Sequence, residues 1–143
     1  MNSFMGQYSH SIDAKGRLIV PAKFREDLGE NFTVTRGLDN CLFVFPSRDW
    51  DELYEKISKL GITNANARKF ARFLLGSAVV CEVDKQGRVM IPPHLREFAK
   101  LEKDVALVGV GNRIEIWNSE AWEEASNYDN MEEIAENMEG LGI

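Results

Sequence analysis

Two short segments of the chain combine an aspartate, a glycine and an arginine at the same spacing, and both are suited to binding an anion. The first runs Asp13-Ala14-Lys15-Gly16-Arg17, and the second, 71 positions later, runs Asp84-Lys85-Gln86-Gly87-Arg88. In each segment the aspartate can accept hydrogen bonds from backbone amides ahead of it, and the glycine can adopt the positive φ of a tight turn. The arginine and the nearby lysine would then project positive charge toward phosphates or the acceptor edge of guanine.

The aspartates and arginines also have a purely structural interpretation. Asp13 could pair with Arg17, and Asp84 with Arg88, to fix the corner of each turn. The two interpretations are compatible, because an arginine oriented by an aspartate is also preorganised for a ligand. Other basic residues on predicted helix surfaces are interpreted first as solvated, namely Arg25, Arg96 and the cluster Arg68, Lys69 and Arg72.

The two segments belong to a longer internal repeat. An apolar residue precedes each aspartate, and three apolar residues and a proline follow each arginine. Such a repeat indicates two copies of one structural unit, and because isolated units of about 60 to 70 residues are marginally stable, the copies are expected to share one core. The predicted division is a first repeat with a C-terminal helix at 1–60, a helical connector at 61–76, a second repeat at 77–126 and an acidic helical tail at 127–143.

Each repeat is predicted to run strand, tight turn, strand, short helix, hairpin and longer helix. Pro21 and Pro92 suit the first helical position, so short helices are predicted at 22–28 and 94–100. Apolar runs on either side of short polar, glycine-containing loops predict a hairpin in each repeat. The result is a mainly β fold with short helices, of the α+β class.

Three longer helices are also predicted. Ser47 is a suitable N-cap for a helix that ends at Gly61, and residues 64–75 have the amphipathic spacing of a connecting helix. A sparse apolar stripe from Trp122 to Met138 predicts a helix in the acidic tail.

Charge is distributed unevenly along the chain. The 143 residues carry 17 Lys and Arg against 23 Asp and Glu, a formal net charge of −6. Eight of the acids, and no Lys or Arg, lie in residues 119–143, which leaves the preceding residues with a net charge of +2. This asymmetry is compatible with a basic face for polyanions and an acidic segment that faces elsewhere.

The sequence carries no recognisable apparatus for catalysis. Its two histidines, His10 and His94, and its two cysteines, Cys41 and Cys81, lack the short spacings of zinc sites and any nucleophile setting. The cysteines lie in apolar runs and are expected to be buried, reduced thiols. With neither a signal-peptide pattern nor a run of about 18 apolar residues, we expect a cytosolic, soluble protein that is not an enzyme. We expect no catalytic or metal site, no cofactor, no small-molecule substrate and no membrane partner.

The chain resembles the bacterial MraZ family. The resemblance rests on residues 4–17, Phe-Met-Gly-Gln-Tyr-Ser-His-Ser-Ile-Asp-Ala-Lys-Gly-Arg, on Pro21-Ala22-Lys23-Phe24-Arg25, and on the second turn with Pro92. It covers nearly the whole chain, from Phe4 to about Trp122. The resemblance implies two pseudo-symmetric AbrB-like units of the double-split β-barrel type, assembled into a ring-shaped homo-oligomer, expected to be an octamer, with the turns exposed on one surface.

The resemblance also implies a function. It implies a transcriptional regulator that binds short direct repeats in double-stranded DNA upstream of the division and cell-wall operon containing its own gene, and that commonly represses it. Such a protein would be cytoplasmic and nucleoid-associated. By position, the DNA-binding residues would be Lys15, Arg17, Lys85 and Arg88. The turn-orienting residues would be Asp13, Gly16, Asp84 and Gly87.

A single chain with two such turns would neutralise few phosphates and would bind DNA weakly on its own. Several copies with their turns on one face would act together, so oligomerisation is part of the functional hypothesis. The alternative hypothesis is an oligomeric assembly or interaction protein that acts through its acidic C-terminal helix.

Overall fold

The computed structural model of the protein describes residues 3–143, and its elements confirm a mainly antiparallel sheet fold with short helices. The first half contains β1 (Phe4–Ser11), β2 (Arg17–Ile19), α1 (Ala22–Leu28), β3 (Asn31–Arg36), β4 (Leu42–Pro46), α2 (Ser47–Ser58) and α3 (Ala65–Leu75). The second half contains β5 (Val79–Glu82), β6 (Arg88–Met90), α4 (Pro93–Phe98), β7 (Asp104–Gly111), β8 (Ile114–Asn118), α5 (Ser119–Ala125) and α6 (Met131–Asn137). Within residues 3–143, every helix is too short or too polar to cross a membrane.

Six strands form one antiparallel sheet in the order β1-β7-β8-β4-β3-β5. The hairpins β3–β4 and β7–β8 confirm the two predicted hairpins. Strands from different halves also pair, because β1 lies beside β7, β4 beside β8, and β3 beside β5. The two repeats therefore build a single sheet.

The remaining strands, β2 and β6, form a separate two-stranded antiparallel ladder, which we call the central ladder. Arg17 lies opposite Met90, Leu18 opposite Val89, and Ile19 opposite Arg88. Since β2 and β6 are equivalent strands of the two repeats, the ladder lies where the repeats meet.

Hydrogen bonds at the ends of the central ladder connect each half to the turn of the other. The Val20 amide donates to the Gly87 carbonyl oxygen at 2.9 Å, and the Ile91 amide donates to the Gly16 carbonyl oxygen at 2.8 Å. Each turn is thus held partly by the strand that leaves the opposite turn.

The inward face of the central ladder belongs to a core that both repeats share. Leu18 and Val89 are buried there with Phe24 of α1 and Leu95 of α4. Burying such large side chains from both halves stabilises them together, because each would otherwise expose apolar surface to water. This confirms the prediction of two units with one core.

The connector between the repeats is a packed helix. Asn64 caps α3 by accepting a hydrogen bond from the Ala67 amide at 3.0 Å, in agreement with the helix predicted at 64–75. The buried Thr35 hydroxyl of β3 donates to the Leu74 carbonyl oxygen, and the Arg36 guanidinium lies 4.6 Å from the centre of the Phe73 ring. These contacts fix α3 against the sheet.

The structure agrees with the helix predicted at 22–28 and corrects the ends of two other helices. Ser47 is the first helical residue rather than the N-cap, because its hydroxyl donates to the Asn31 carbonyl oxygen at 2.9 Å, and this helix ends at Ser58. Helix α4 stops at Phe98 instead of residue 100, where Lys100 has a left-handed φ of 54°.

The segment from Trp122 to Met138, which was predicted to be one helix, contains parts of two short helices, α5 and α6. Residues between Ala125 and Met131 interrupt it, and every residue from 127 to 143 is exposed except Met138, which is half-buried. Helix α5, which precedes the acidic tail at 127–143, packs on the sheet, and Trp122 Nε1 donates to Gln7 Oε1 at 2.9 Å.

We expect Leu18→Ala to lower the free energy of unfolding by about 2–5 kcal/mol, because it opens a cavity beneath the central ladder. The same substitution at Leu60, which is 44% exposed, should cost less than about 1 kcal/mol. Chemical denaturation of both variants checks this expectation, and equal destabilisation would contradict the importance of the ladder core.

Candidate nucleic-acid interface

The first predicted turn forms, and its aspartate organises it. Asp13 Oδ1 accepts hydrogen bonds from the backbone amides of Lys15 at 3.0 Å and Arg17 at 2.8 Å. The Gly16 amide donates to the Asp13 carbonyl oxygen at 2.9 Å, and Gly16 has a φ of 84°, in the region that favours glycine. The carboxylate therefore fixes the backbone that carries Arg17.

The second turn has the same geometry. Asp84 Oδ1 accepts hydrogen bonds from the amides of Gln86 and Arg88, both at 2.9 Å. The Gly87 amide donates to the Asp84 carbonyl oxygen at 3.0 Å, and Gly87 has a φ of 76°. The repeat in sequence is thus a repeat in hydrogen bonding.

Each turn arginine is bound to its aspartate through a single side-chain nitrogen. Arg17 Nε donates to Asp13 Oδ2 at 2.7 Å, and Arg88 Nε donates to Asp84 Oδ2 at 2.9 Å. Within residues 3–143, the Nη1 and Nη2 atoms of both arginines have no hydrogen-bonding partner. The aspartates therefore fix the direction of the guanidinium groups and leave the outer edges available to an anion.

Arg17 and Arg88 lie on the same outward face of the central ladder. Side chains alternate between the two faces of a strand, and Leu18 and Val89 point into the core, so their neighbours point outward. In this antiparallel register the two arginines are diagonal neighbours, which lie about 7–8 Å apart in such a pair of strands. The ladder thus brings together two side chains that are far apart in sequence.

The predicted lysines lie at the two turns. Lys15 and Lys85 are both exposed, and the turns that carry them are at opposite ends of the ladder. At about 3.3 Å per residue, the four steps from Gly16 to Val20 separate the turns by about 13 Å. Gln86 occupies the position equivalent to Lys15, so the two ends differ in the placement of charge.

Two further arginines adjoin these turns, which corrects their interpretation as solvated helix residues. Arg96 of α4 covers Gly16, where a Cβ atom would lie 2.7 Å from Arg96 Nε, and Arg25 of α1 covers Gly87 in the same way. Each arginine therefore covers the turn of the opposite repeat. The only sequence signal for this role is their shared position four residues after a proline.

Hydrogen bonding lowers the pKa of both turn aspartates. For Asp13 the largest cause is the backbone amide of Arg17, and for Asp84 it is the backbone amide of Arg88. Desolvation acts in the opposite direction, and the guanidinium of the same arginine lowers the pKa further. Both carboxylates are ionised at neutral pH and offset the charge of their own arginines, so the lysines and Arg25 and Arg96 supply the excess positive charge.

Comparison with known proteins identifies the family. The family model described as "MraZ protein, putative antitoxin-like" matches the chain twice, over residues 3–73 and 74–141. The chain belongs to the MraZ family. Each of the two matches to the MraZ model includes one of the Asp-x-x-Gly-Arg turns, at residues 13–17 and 84–88.

Relatives with this family name align along nearly their whole length. Two proteins called transcriptional regulator MraZ, from Thermoanaerobacter sp. (strain X514) and Carboxydothermus hydrogenoformans, are each 57% identical to the chain, over 141 and 140 residues. The alignments cover 97% and 94% of this chain and 99% and 96% of the relatives. A third, from Lachnoclostridium phytofermentans, is 53% identical over 140 residues, 98% of each chain. The chain is thus a member of a family of transcriptional regulators.

Other residues that the sequence singled out belong to neither turn and to neither strand of the central ladder. Burial raises the pKa of Cys41 to about 12 and that of the half-buried Cys81 to about 11, so both are protonated thiols at neutral pH. His94 Nε2 lies 3.1 Å from the Ser77 carbonyl oxygen, a structural contact. The basic cluster Arg68, Lys69 and Arg72 is exposed on α3, which packs on β3 and α2.

Stability should fall on acidification as the turn aspartates become protonated. Because folding lowers their pKa, their contribution is present above about pH 4 and is lost as pH falls through the folded-state value. We expect a double variant, Asp13→Asn with Asp84→Asn, to have a lower Tm at pH 7 and a smaller further loss below pH 4. Thermal melts between pH 2 and 7, with the exposed Asp27→Asn as control, check this, and parallel curves would refute it.

Proposed function

We propose that this protein is a sequence-specific DNA-binding transcriptional regulator, and that it uses the outward face of the central ladder to bind DNA. The observation that carries the proposal is the pair Arg17 and Arg88 on one outward face, both half-buried and each oriented by an aspartate that leaves its Nη atoms without a partner among the described residues. Arginine held in this way is suited to bidentate bonding with guanine O6 and N7 or with a phosphate.

The residues at the turns would contact the DNA backbone. Lys15 and Lys85 lie at the two ends of the ladder, and the turns that carry them are about 13 Å apart, the length of about four base pairs along the helix axis. Phosphate contacts of this kind fix the register of a protein on the duplex, while groups between them reach the bases. Arg25 and Arg96 add positive charge beside the turns and support the backbones that carry Arg17 and Arg88.

Assembly supplies the affinity that one ladder lacks. The protein would act as a ring-shaped homo-oligomer, an octamer in the simplest case, whose ladders bind short direct repeats together. Copies that follow one another head to tail around a ring present their contacts in one direction, which suits direct repeats. Bound upstream of the division and cell-wall operon that contains its own gene, the nucleoid-associated cytoplasmic regulator would repress that operon.

The distribution of charge supports the same orientation. The acidic tail follows α5 and is separate from the central ladder in sequence, and its carboxylates repel phosphates. DNA would therefore approach the mildly basic residues that precede the tail, which include the central ladder.

The proposal predicts a loss of DNA affinity and of salt dependence when a turn arginine is removed. In mobility-shift titrations with DNA from upstream of the gene, Arg17→Ala and Arg88→Ala should each weaken binding by at least tenfold. Each should also reduce the slope of log affinity against log salt, in proportion to the contacts that the assembly loses.

Lys59→Ala is the matched control, because it removes one positive charge from the end of α2, where the Lys59 side chain is 75% exposed. This variant should keep the DNA affinity and the salt slope near their wild-type values. An Arg17→Ala protein with wild-type affinity and salt slope would contradict the proposal.

A second candidate function is binding of another protein through the acidic tail. The observation that favours it is exposed apolar surface on and beside α6, with Met131 40%, Ile134 37% and Leu141 72% exposed among acidic residues. An amphipathic helix with an uncovered apolar stripe can dock in a groove of a partner.

Deleting residues 128–143 separates the two candidate functions. We expect the deletion to abolish capture of partner proteins from a cell extract and to leave DNA affinity unchanged, because the tail follows the last element packed on the sheet. A truncated protein that captures the same partners as the full chain would remove the tail from consideration.

A further inference from the structure

Two large apolar side chains share the outward face of the central ladder with the turn arginines. Ile19 is 45% exposed and Met90 is 58% exposed, although the inward residues between them and the arginines are almost fully buried. Ile19 lies directly opposite Arg88, and Met90 directly opposite Arg17. The ladder therefore presents two guanidinium groups and two apolar groups in alternating positions.

This arrangement occurs once in each repeat, so neither Ile19 nor Met90 is an isolated exposed apolar residue. Ile19 and Met90 are equivalent positions of the two copies, and so are Arg17 and Arg88. Each arginine is paired across the ladder with the apolar residue of the other half, so the same two-residue unit occurs twice on one surface.

The shape of this surface matches the major groove of DNA. The groove is about 12 Å wide and admits a two-stranded β-ribbon, whose strands lie about 4.8 Å apart. The ladder is such a ribbon, three residues long in each strand, and its outward apolar side chains are more exposed than the arginine side chains beside them, of which 31% (Arg17) and 27% (Arg88) is exposed.

The chemistry of the exposed groups then restricts the sequence that is read. In the major groove, arginine pairs with guanine O6 and N7, and the thymine C5-methyl group offers an apolar contact to an apolar side chain. We propose that Ile19 and Met90 contact thymine methyl groups next to the guanines bound by Arg88 and Arg17. The inference rests on the proposed function and adds a readout of thymine to it.

The spacing indicates which base pairs are involved. Directly opposed residues of an antiparallel pair have Cβ atoms about 5 Å apart, and successive bases of one strand are about 3.4 Å apart along the helix axis. Each thymine is therefore one or two base pairs from the guanine that its partner arginine contacts. A binding site should contain this guanine and thymine combination at each contacted ladder.

Replacing thymine with uracil tests the inference directly, since uracil lacks only the C5-methyl group. The upstream DNA of the gene is amplified with either dTTP or dUTP, and the full-length protein is titrated against both products. Wild-type protein should bind the uracil DNA more weakly, by roughly fourfold for each contacted methyl group removed. The slope of affinity against salt should be the same for both DNAs, because no charge changes.

The double variant Ile19→Ala with Met90→Ala should bind the thymine and uracil DNAs equally. Ile62→Ala is the matched control, because Ile62 is 83% exposed in the connection between α2 and α3 and should retain the wild-type preference for thymine. Both substituted ladder residues are exposed, so the double variant should keep the wild-type melting temperature.

Three results would overturn the inference. Equal binding of both DNAs by the wild type would exclude methyl contacts, and an undiminished thymine preference in the double variant would assign them to other residues. A lower subunit number of the double variant in light scattering would show that Ile19 and Met90 contact a second copy. Failure of the wild type to bind either DNA would instead contradict the proposed function. If the wild type binds both DNAs equally and Arg17→Ala binds neither, the proposed function stands and only the thymine readout is excluded.

Discussion

The hydrogen bonds from Val20 to Gly87 and from Ile91 to Gly16 make each half of the chain dependent on the other. A turn that presents an arginine needs a fixed backbone, and here part of that backbone is held by the strand leaving the opposite turn. The same reciprocity appears in the side chains, because Arg25 and Arg96 cover the glycines of the opposite repeat. The local order of the candidate site therefore depends on long-range contacts between the two repeats.

The alternation of side chains along two short strands separates stability from recognition. One face of the central ladder carries Leu18 and Val89 into the shared core, and the other carries the arginines with Ile19 and Met90. Because the period of a strand is two residues, a shift of register by one residue would bury the charges and expose the core residues. The buried face thus strongly specifies which groups are presented outward.

The turns and α1 could be predicted from the sequence, because an aspartate, a glycine or a proline determines the conformation of the backbone close to it. The hairpins were predictable from apolar runs for the same reason. Pairing of β2 with β6 was not predicted, because no local pattern specifies a partner about 70 positions away, and so Arg25 and Arg96 were assigned to solvent. The end of α4 was not predicted, because Lys100 adopts a left-handed φ beyond it and lysine is not a residue type that favours this conformation.

Because both repeats belong to one chain, their association does not depend on protein concentration. Repeats that complete each other would, as separate polypeptides, fold only as a dimer whose population depends on concentration. Joined through α3 in one chain, they remain together at any concentration. Covalent joining also allows equivalent positions of the two repeats to differ, as Lys15 and Gln86 do, so the two ends of the central ladder are chemically unequal.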